Sequence, residues 1–227
     1  MKNFKMIDSF EGGGGSLGFT LAEVLITLGI IGIVAAITMP TIITNYQKKV
    51  TVERLKSAYS LLNQAIQLSE NHNGSIGEWN LYDEQNNFFD KYILPYMNTV
   101  NKKAMFSPSK AYAFNTIDGN PCRGGSLRVA TNGVGFIPFV SSGSNYAWIM
   151  IDINGLKGPN RLGRDVFATL LTKEKLVMGW GATNKNEIIN ADNYGCKKGL
   201  PIAYYAGFNC GTLIMQDGWQ ITSNYPW

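Results

Sequence analysis

The chain has 227 residues and a net charge of +4 at pH 7, with 45% hydrophobic and only 16% charged residues. This composition excludes a wholly disordered chain, and a single long apolar run excludes a polytopic membrane protein. The mild positive charge does not by itself favour nucleic acid as a partner. The length predicts one domain with an appendage.

The apolar run covers residues 19–43 and contains a single charged residue, Glu23. As a helix it would span roughly 37 Å, enough to cross a bilayer core of about 30 Å. A secretory signal peptide cut after Val34-Ala35-Ala36 and a plain signal anchor are two alternatives. Both fit poorly, because an acidic residue and four glycines precede the run and a carboxylate lies inside it. A carboxylate within a membrane segment is costly and therefore predicts a function.

Residues 18–26 read Gly-Phe-Thr-Leu-Ala-Glu-Val-Leu-Ile. This segment resembles the cleavage and methylation motif of type IV prepilins and type II secretion pseudopilins. The match combines a glycine before the cut, a phenylalanine after it, a glutamate four residues further on and a long apolar helix. Gly32 and Pro40 also lie where many pilins carry residues that weaken the helix. The close resemblance covers about residues 17–49, and the rest of the chain agrees only in architecture.

The resemblance implies a processing and assembly mechanism. A prepilin peptidase would cut between Gly18 and Phe19 and would then N-methylate the new Phe19 amine. Glu23 would pair with the Phe19 ammonium of a neighbouring subunit during assembly, and Gly32 and Pro40 would be further assembly positions. A carboxylate and an ammonium that meet in a low dielectric offset much of each other's desolvation cost.

The same resemblance implies partners and a location. The partners would be the prepilin peptidase, other pilin or pseudopilin subunits in a homo- or hetero-polymer, and an inner-membrane assembly platform. The chain would cross the inner membrane once, with its head in the periplasm or outside, and would enter a filament after assembly. Pilus and secretion pseudopilus share this helix, so the choice between them stays open, as does the choice of Met1 or Met6 as the start.

Helical periodicity continues beyond the apolar run, with apolar residues at three- and four-residue steps up to a stop at Asn73-Gly74. The sequence therefore predicts one helix from about Phe19 to about His72, which Pro40 should kink or loosen. Four segments follow from this: a leader (1–18), a transmembrane or filament-core helix (19–45), its amphipathic continuation (46–73) and a globular β-rich head (74–227).

The head shows strand signals after a short helical segment at residues 86–94. Four pairs of turn residues predict hairpins or strand ends: Asn132-Gly133, Asn154-Gly155, Lys173-Glu174 and Asp217-Gly218. We expect an antiparallel sheet of four to six strands with one face on the helix. Trp148, Trp180 and Trp219 would be core or rim residues. The fold class is therefore α+β, with a long N-terminal helix packed on a sheet, as in pilins.

Three cysteines allow at most one internal disulfide. Outside the cytoplasm Cys196 and Cys210 would form it, similar to the C-terminal disulfide loop of many pilins. Three free thiols, or a pairing that uses Cys122, are the alternatives.

Asp152, Asn154 and Asp165 could bring oxygens to a calcium ion, as in some pseudopilin heads. The spacing does not match an EF-hand, because Gly155 follows Asp152 too soon and no glutamate closes the loop. An ordinary Asx-type turn in a loop rich in Gly, Pro and Asn is the alternative. Calcium is the one cofactor that the sequence suggests.

The chain contains no recognisable enzymatic motif and a single histidine, His72, so we expect no catalytic function. Basic residues at 102, 103, 123, 128, 161 and 164 could form a patch, but weak aromatic interleaving disfavours nucleic acid. Two alternatives to a filament subunit stay open. One is a minor tip pilin whose head binds DNA, a surface or secreted cargo, and the other is a Sec-exported or membrane-anchored enzyme.

Overall fold

The computed structural model describes residues 18–81, 87–97, 112–122, 124–140, 144–201 and 205–227. The fold is α+β, with a long N-terminal apolar helix and a five-stranded antiparallel sheet, which confirms the predicted fold class. The chain divides into two units, Met1–Asn45 and Tyr46–Trp227. Helix α1, Leu21–Asn73, begins in the first unit and ends in the second. It starts and ends within two residues of the predicted bounds.

In the second unit, α1 contributes one buried stripe to the core. Leu55, Ala58 and Leu62 are fully buried and recur at steps of three and four residues, the spacing of one helix face. They belong to the same apolar cluster as Phe136, Ile151 and Phe167 of the sheet. The continuation of the helix is therefore packed on the sheet, as the sequence predicts.

The five strands follow one another in chain order, each antiparallel to the next. They are β1 (Arg128–Val129), β2 (Gly135–Phe139), β3 (Ala147–Asp152), β4 (Val166–Leu171) and β5 (Leu176–Met178). The hairpin predicted at Asn132-Gly133 joins β1 to β2, and the one at Lys173-Glu174 joins β4 to β5. Gly133 has φ +83°, the left-handed backbone that tight hairpin turns use. These two hairpin predictions are confirmed.

Both faces of the sheet are buried. Phe136, Ile151 and Phe167 are in register on the helix side. The next set of paired residues, Ile137, Met150 and Ala168, belongs to a second apolar cluster on the opposite face of the sheet. Alternate residues of a strand point to opposite faces, so strands covered on both sides are apolar throughout. The sequence prediction of one covered face was therefore incomplete.

The second cluster is rich in aromatic side chains. Trp148 is buried there against Phe208 and Trp180, with ring centroids 5.0 and 4.9 Å apart. Trp180 is half-buried and stacks on Tyr194. Trp219 is partly buried against the helix-side cluster. All three tryptophans thus occupy the core or its rim, as predicted.

The hairpin predicted at Asp217-Gly218 is wrong. Residues Cys210–Gln216 form helix α4, and no strand follows it in residues 217–227. Gly218 has φ +73°, while Trp219 N–H donates to Ile214 O and Gly218 N–H donates to Met215 O. This is the Schellman motif that ends a helix, so the Asp-Gly pair stops α4 instead of turning a hairpin.

Other short segments of the described chain also have helical structure. Helix α2 covers Phe88–Tyr92, inside the predicted segment, and a separate 3₁₀ turn, Leu94–Tyr96, follows it and contains Pro95. Another 3₁₀ turn covers Ile76–Glu78. Helix α3, Lys185–Asn190, was not predicted, and Asn184 caps it by accepting N–H bonds from Asn186 and Glu187.

Candidate functional site

The residues that precede and open α1 form a capping box. Thr20 Oγ1 accepts a hydrogen bond from Glu23 N–H at 3.2 Å, and Glu23 Oε2 accepts from Thr20 N–H at 2.9 Å. Thr20 Oγ1–H also donates to the same carboxylate oxygen at 2.8 Å. The sequence Thr-Leu-Ala-Glu is the S/T-x-x-E pattern of this motif. Sequence analysis singled out Glu23 but missed the role of Thr20, which that pattern could have indicated.

The apolar side chains of residues 19–43 are exposed in the single chain. Phe19 is 87% exposed, Leu21 81% and Ile37 71%. Apart from the chain neighbours and the backbone of the helix itself, no heavy atom of the described residues lies within 4 Å of a Cβ built at Gly18 or Gly32. Pro40 is inside α1 and contributes no backbone N–H, so the preceding turn lacks one helical hydrogen bond. The predicted cleavage and assembly residues thus lie along one apolar segment with its surface uncovered.

By length and composition, α1 can cross a membrane. None of its most apolar stretch is buried within the protein. A membrane span and a signal sequence near the N-terminus both fit this observation. The predicted leader, residues 1–18, lies outside the described residues except for Gly18, as do Met1 and Met6.

Cys196 and Cys210 form a disulfide with their Cα atoms 4.7 Å apart. Both sulfurs are buried, and Cys210 opens α4. Cys122 is half-buried and lies outside this disulfide. The bond joins α4 to the segment after α3, so it fixes the C-terminal part of the head.

The calcium hypothesis requires Asp152, Asn154 and Asp165 to lie close together, and they do. Hydrogen-bond donors of the protein, however, contact both carboxylates. Asp152 Oδ1 accepts from the N–H groups of Asn154 and Gly155, each at 2.9 Å. Asp165 Oδ2 accepts from Asn160 N–H at 2.8 Å and from the Asn154 amide at 3.2 Å. The other oxygen of Asp165, Oδ1, accepts a hydrogen bond from the backbone N–H of Arg161 at 2.7 Å.

These contacts match the alternative of an Asx-type turn in this loop. A calcium ion needs six to eight oxygen ligands, whereas the Asp152 and Asp165 oxygens already accept hydrogen bonds and Asn154 Oδ1 is buried without a partner among the described residues. Within the described ranges, no group of three or more His, Cys, Asp or Glu residues could hold a metal. The calcium site stays a prediction and plays no part in the function proposed below.

Asp152 is also bonded to a tyrosine that the sequence did not indicate. The Tyr112 hydroxyl donates a short hydrogen bond to Asp152 Oδ2, and both side chains are buried. Burial raises the pKa of Asp152 to about 7, against the opposing effect of its hydrogen bonds. Burial and the neighbouring Asp152 charge raise the pKa of Tyr112, so the phenol stays neutral and donates.

The predicted basic patch separates into different environments. Arg128 is buried and ion-paired with Asp90, so it is not part of a surface patch. Arg161 and Arg164 lie in the loop before β4 and line surface clefts. The basic residues at 102, 103 and 123 lie outside the described residues. His72 lies in the last turn of α1, where a ring nitrogen is 3.0 Å from Leu68 O.

The model of the family described as "Family of unknown function (DUF6613)" matches residues 41–227. The chain belongs to this family. The matched part covers the continuation of α1 and the whole head. It begins after Gly18, Phe19 and Glu23, so membership of DUF6613 carries no information on the N-terminal motif. No curated protein and no solved structure matches the chain.

Proposed function

We propose that this DUF6613 chain is a prepilin-like filament subunit. In this proposal a prepilin peptidase cuts between Gly18 and Phe19 and methylates the Phe19 amine. The chain then polymerises through its apolar helix into a type IV pilus or a type II secretion pseudopilus. The observation that carries the proposal is the Gly-Phe-Thr-Leu-Ala-Glu segment at the start of a helix whose apolar surface is uncovered.

The exposed apolar surface supports two successive environments for this segment, one before and one after assembly. A contiguous apolar surface of this size on a single chain needs a partner. Before assembly the partner would be the lipid of the inner membrane, with the head in the periplasm or outside. After assembly it would be the same segment of neighbouring subunits, packed by close van der Waals contact as membrane helices are.

The position of Glu23 supports an electrostatic step in assembly. Cleavage would create an ammonium at Phe19, four residues before Glu23, and residues four apart lie on one helix face. Both charges are costly in an apolar environment, and pairing between subunits would reduce that cost. The Thr20–Glu23 capping box supports the same proposal, because it places the carboxylate in the first helical turn, beside the new N-terminus.

The decisive experiment determines the mature N-terminus by mass spectrometry, in cells with and without the prepilin peptidase. We expect a methylated Phe19 start that is lost without the peptidase. A start at Ile37, or an uncut chain in both strains, would refute the proposal. A start at Ile37 would instead favour a Sec-exported protein.

A substitution separates processing from assembly. We expect Glu23→Val to leave cleavage intact and to reduce incorporation into sheared filaments at least tenfold, because the Phe19 ammonium loses its partner. Thr27→Val is the matched control, since it also adds an apolar side chain to the exposed segment one turn further on. Normal incorporation of Glu23→Val would exclude the proposed role of this carboxylate.

A further inference from the structure

A basic groove lies on the head, between the loop before β4 and the C-terminal segment. Its cavity measures about 230 Å³. Arg161, Arg164 and Lys198 line it, together with Pro159 and Trp227. Among the described residues, three cations and no acidic side chain thus border one cavity. This composition predicts an anionic ligand, since like charges gathered without counter-charges repel one another.

A second, larger cleft continues the groove towards the first residues of the second unit. Its cavity measures about 360 Å³ and shares Arg164, Pro159 and Trp227 with the groove. It adds Tyr46 and Arg54 of α1. The shared residues make the two cavities one continuous surface, which we call the basal groove.

The cations of the basal groove form no ion pair with the described part of the chain. Neither of the two ion pairs there involves Arg161, Arg164 or Lys198. The Arg161 Nε–H is buried and has no hydrogen-bond partner among those residues. Asp165 also borders the larger cleft, but it is buried and both its oxygens accept N–H bonds of its own loop. Arg161 and Lys198 line the smaller cavity without an ion-paired carboxylate, which favours an anionic ligand there.

Aromatic and apolar side chains accompany these charges. The Arg164 guanidinium lies 4.2 Å from the centroid of the Trp227 ring, and Lys48 Nζ lies 6.0 Å from the same centroid. Tyr46 is 68% exposed and Leu156, in the loop before Pro159, is 54% exposed. Basic side chains beside exposed aromatic and apolar ones are typical of protein surfaces at a membrane interface.

Chain connectivity limits the distance between the apolar segment and Tyr46, which lines the larger cleft. Tyr46 follows Ile43, the last residue of the apolar run, by three positions. Three residues of chain span at most about 11 Å. If residues 19–43 lie in a bilayer, Tyr46 therefore lies at the level of the lipid headgroups.

We propose that the basal groove binds the phosphate of an anionic phospholipid and so docks the head on the membrane surface before assembly. Arginine and lysine side chains hold a phosphate by charge-assisted hydrogen bonds, and Trp227 and Tyr46 suit the interfacial layer. The proposal rests on the membrane-spanning helix of the proposed function. A free phosphate ion would use the same chemistry, so the experiment separates these two sources.

The test places the full chain in lipid nanodiscs and measures amide hydrogen exchange by mass spectrometry. The discs contain phosphatidylcholine with increasing fractions of phosphatidylglycerol. We expect phosphatidylglycerol to slow exchange in peptides that cover residues 156–165 and 220–227, and phosphatidylcholine alone not to do so. High salt should remove this protection, because exposed charges are screened.

Paired variants identify the residues responsible. Arg164→Gln/Lys198→Gln should require at least tenfold more phosphatidylglycerol for half-maximal protection, since each basic residue near an anionic surface contributes about fivefold. Lys91→Gln/Lys175→Gln removes the same charge from exposed positions elsewhere on the head and should behave like the unaltered chain. Exchange in β3 and β4 reports whether each variant is folded.

Several results would overturn the proposal. These are equal protection by both lipids in the unaltered chain, or an unchanged response in a folded Arg164→Gln/Lys198→Gln variant. Inorganic phosphate that protects the same peptides in phosphatidylcholine discs would make the groove a site for soluble anions. If the groove variant unfolds, the comparison of the two lipids in the unaltered chain still decides. A chain that matures at Phe19 and assembles but shows no lipid preference would overturn this inference alone.

Discussion

At the residue scale, Asp152 has the largest pKa shift among the carboxyl groups of the described part of the head. It ends β3, is fully buried and bonds to Tyr112 and to the turn that follows the strand. Because burial raises its pKa from 3.8 to about 7, the folded protein binds a proton more tightly there than the unfolded chain does. This contribution to stability is fully present below pH 4 and is lost as the pH rises through 7.

We expect Asp152→Asn to remove this pH dependence. An asparagine keeps the oxygen that accepts the N–H bonds of Asn154 and Gly155 but carries no charge to bury. Relative to the unaltered protein, the variant should gain roughly 2–4 kcal/mol in unfolding free energy between pH 4 and pH 8. Denaturant unfolding of the full chain in a neutral detergent at several pH values measures this difference.

Tyr112→Phe, which alters the hydrogen-bond partner of Asp152, is the control for that experiment. It removes the hydroxyl that donates to the Asp152 carboxylate, so the pKa of Asp152 should rise further and the loss of stability should extend above pH 7. A flat pH profile in the unaltered protein between pH 5 and pH 8 would contradict both expectations.

At the scale of elements, one ion pair joins helix α2 to strand β1. Arg128 donates from Nε and Nη2 to the two oxygens of Asp90, at 2.8 and 2.6 Å. The Arg128 side chain is 7% exposed, whereas that of Asp90 is 34% exposed. Removal of Asp90 therefore leaves a buried guanidinium, whereas removal of Arg128 leaves a partly exposed carboxylate.

We expect Asp90→Ala to destabilise the head more than Arg128→Met does. The first variant leaves a buried guanidinium without a counter-charge, which costs about 3–5 kcal/mol, while the second leaves a carboxylate that water can reach. The cost of Arg128→Met should therefore be at least about 1 kcal/mol lower. Unfolding free energies from denaturant titrations measure both variants.

The pair between Lys185 and Asp217 provides the matched comparison. Its lysine side chain is 52% exposed and its aspartate side chain is 8% exposed, so by the same reasoning Lys185→Met, which leaves the buried carboxylate without its counter-charge, should cost more than Asp217→Asn. Equal costs for Asp90→Ala and Arg128→Met would show that burial of Arg128 does not determine the strength of its ion pair.

At the scale of the whole molecule, the chain combines a head buried on both faces of its sheet with an apolar segment that the single chain leaves uncovered. In the proposed function the segment is covered by lipid or by other copies of itself, while the head has its own core. This contrast supports a subunit that is held in a membrane before it assembles.

Two arginines in the apolar segment test whether it spans the membrane. Each costs about 2.5–3.5 kcal/mol near the centre of a bilayer, so Ile30→Arg/Ile33→Arg should release the chain from membranes under alkaline extraction. Ser57→Arg/Ser60→Arg has the same spacing on exposed positions of the later part of α1 and should leave the chain in the membrane fraction. Release of the unaltered chain by alkali would favour a signal sequence over a membrane span.

Local pattern alone predicted the elements whose stability depends on local periodicity and turn chemistry. The apolar run and the stripe around Leu55 indicate α1, and the turn residues Asn132-Gly133 indicate one of the hairpins that form. The Gly18-Phe19 motif is likewise visible only in the sequence, because the role proposed for it is cleavage by a peptidase and not a contact within the chain.

The tertiary structure decided the features that depend on residues distant in sequence. Helix α4 has β-branched residues and an Asp-Gly pair typical of a hairpin, but burial of Leu213 and Ile214 and a bond from Thr212 Oγ1 to Met178 O favour the helix. The Tyr112–Asp152 bond and the basal groove around Arg164 and Trp227 also join segments far apart in the chain. No local pattern specifies such contacts, since packing of the whole head brings their partners together.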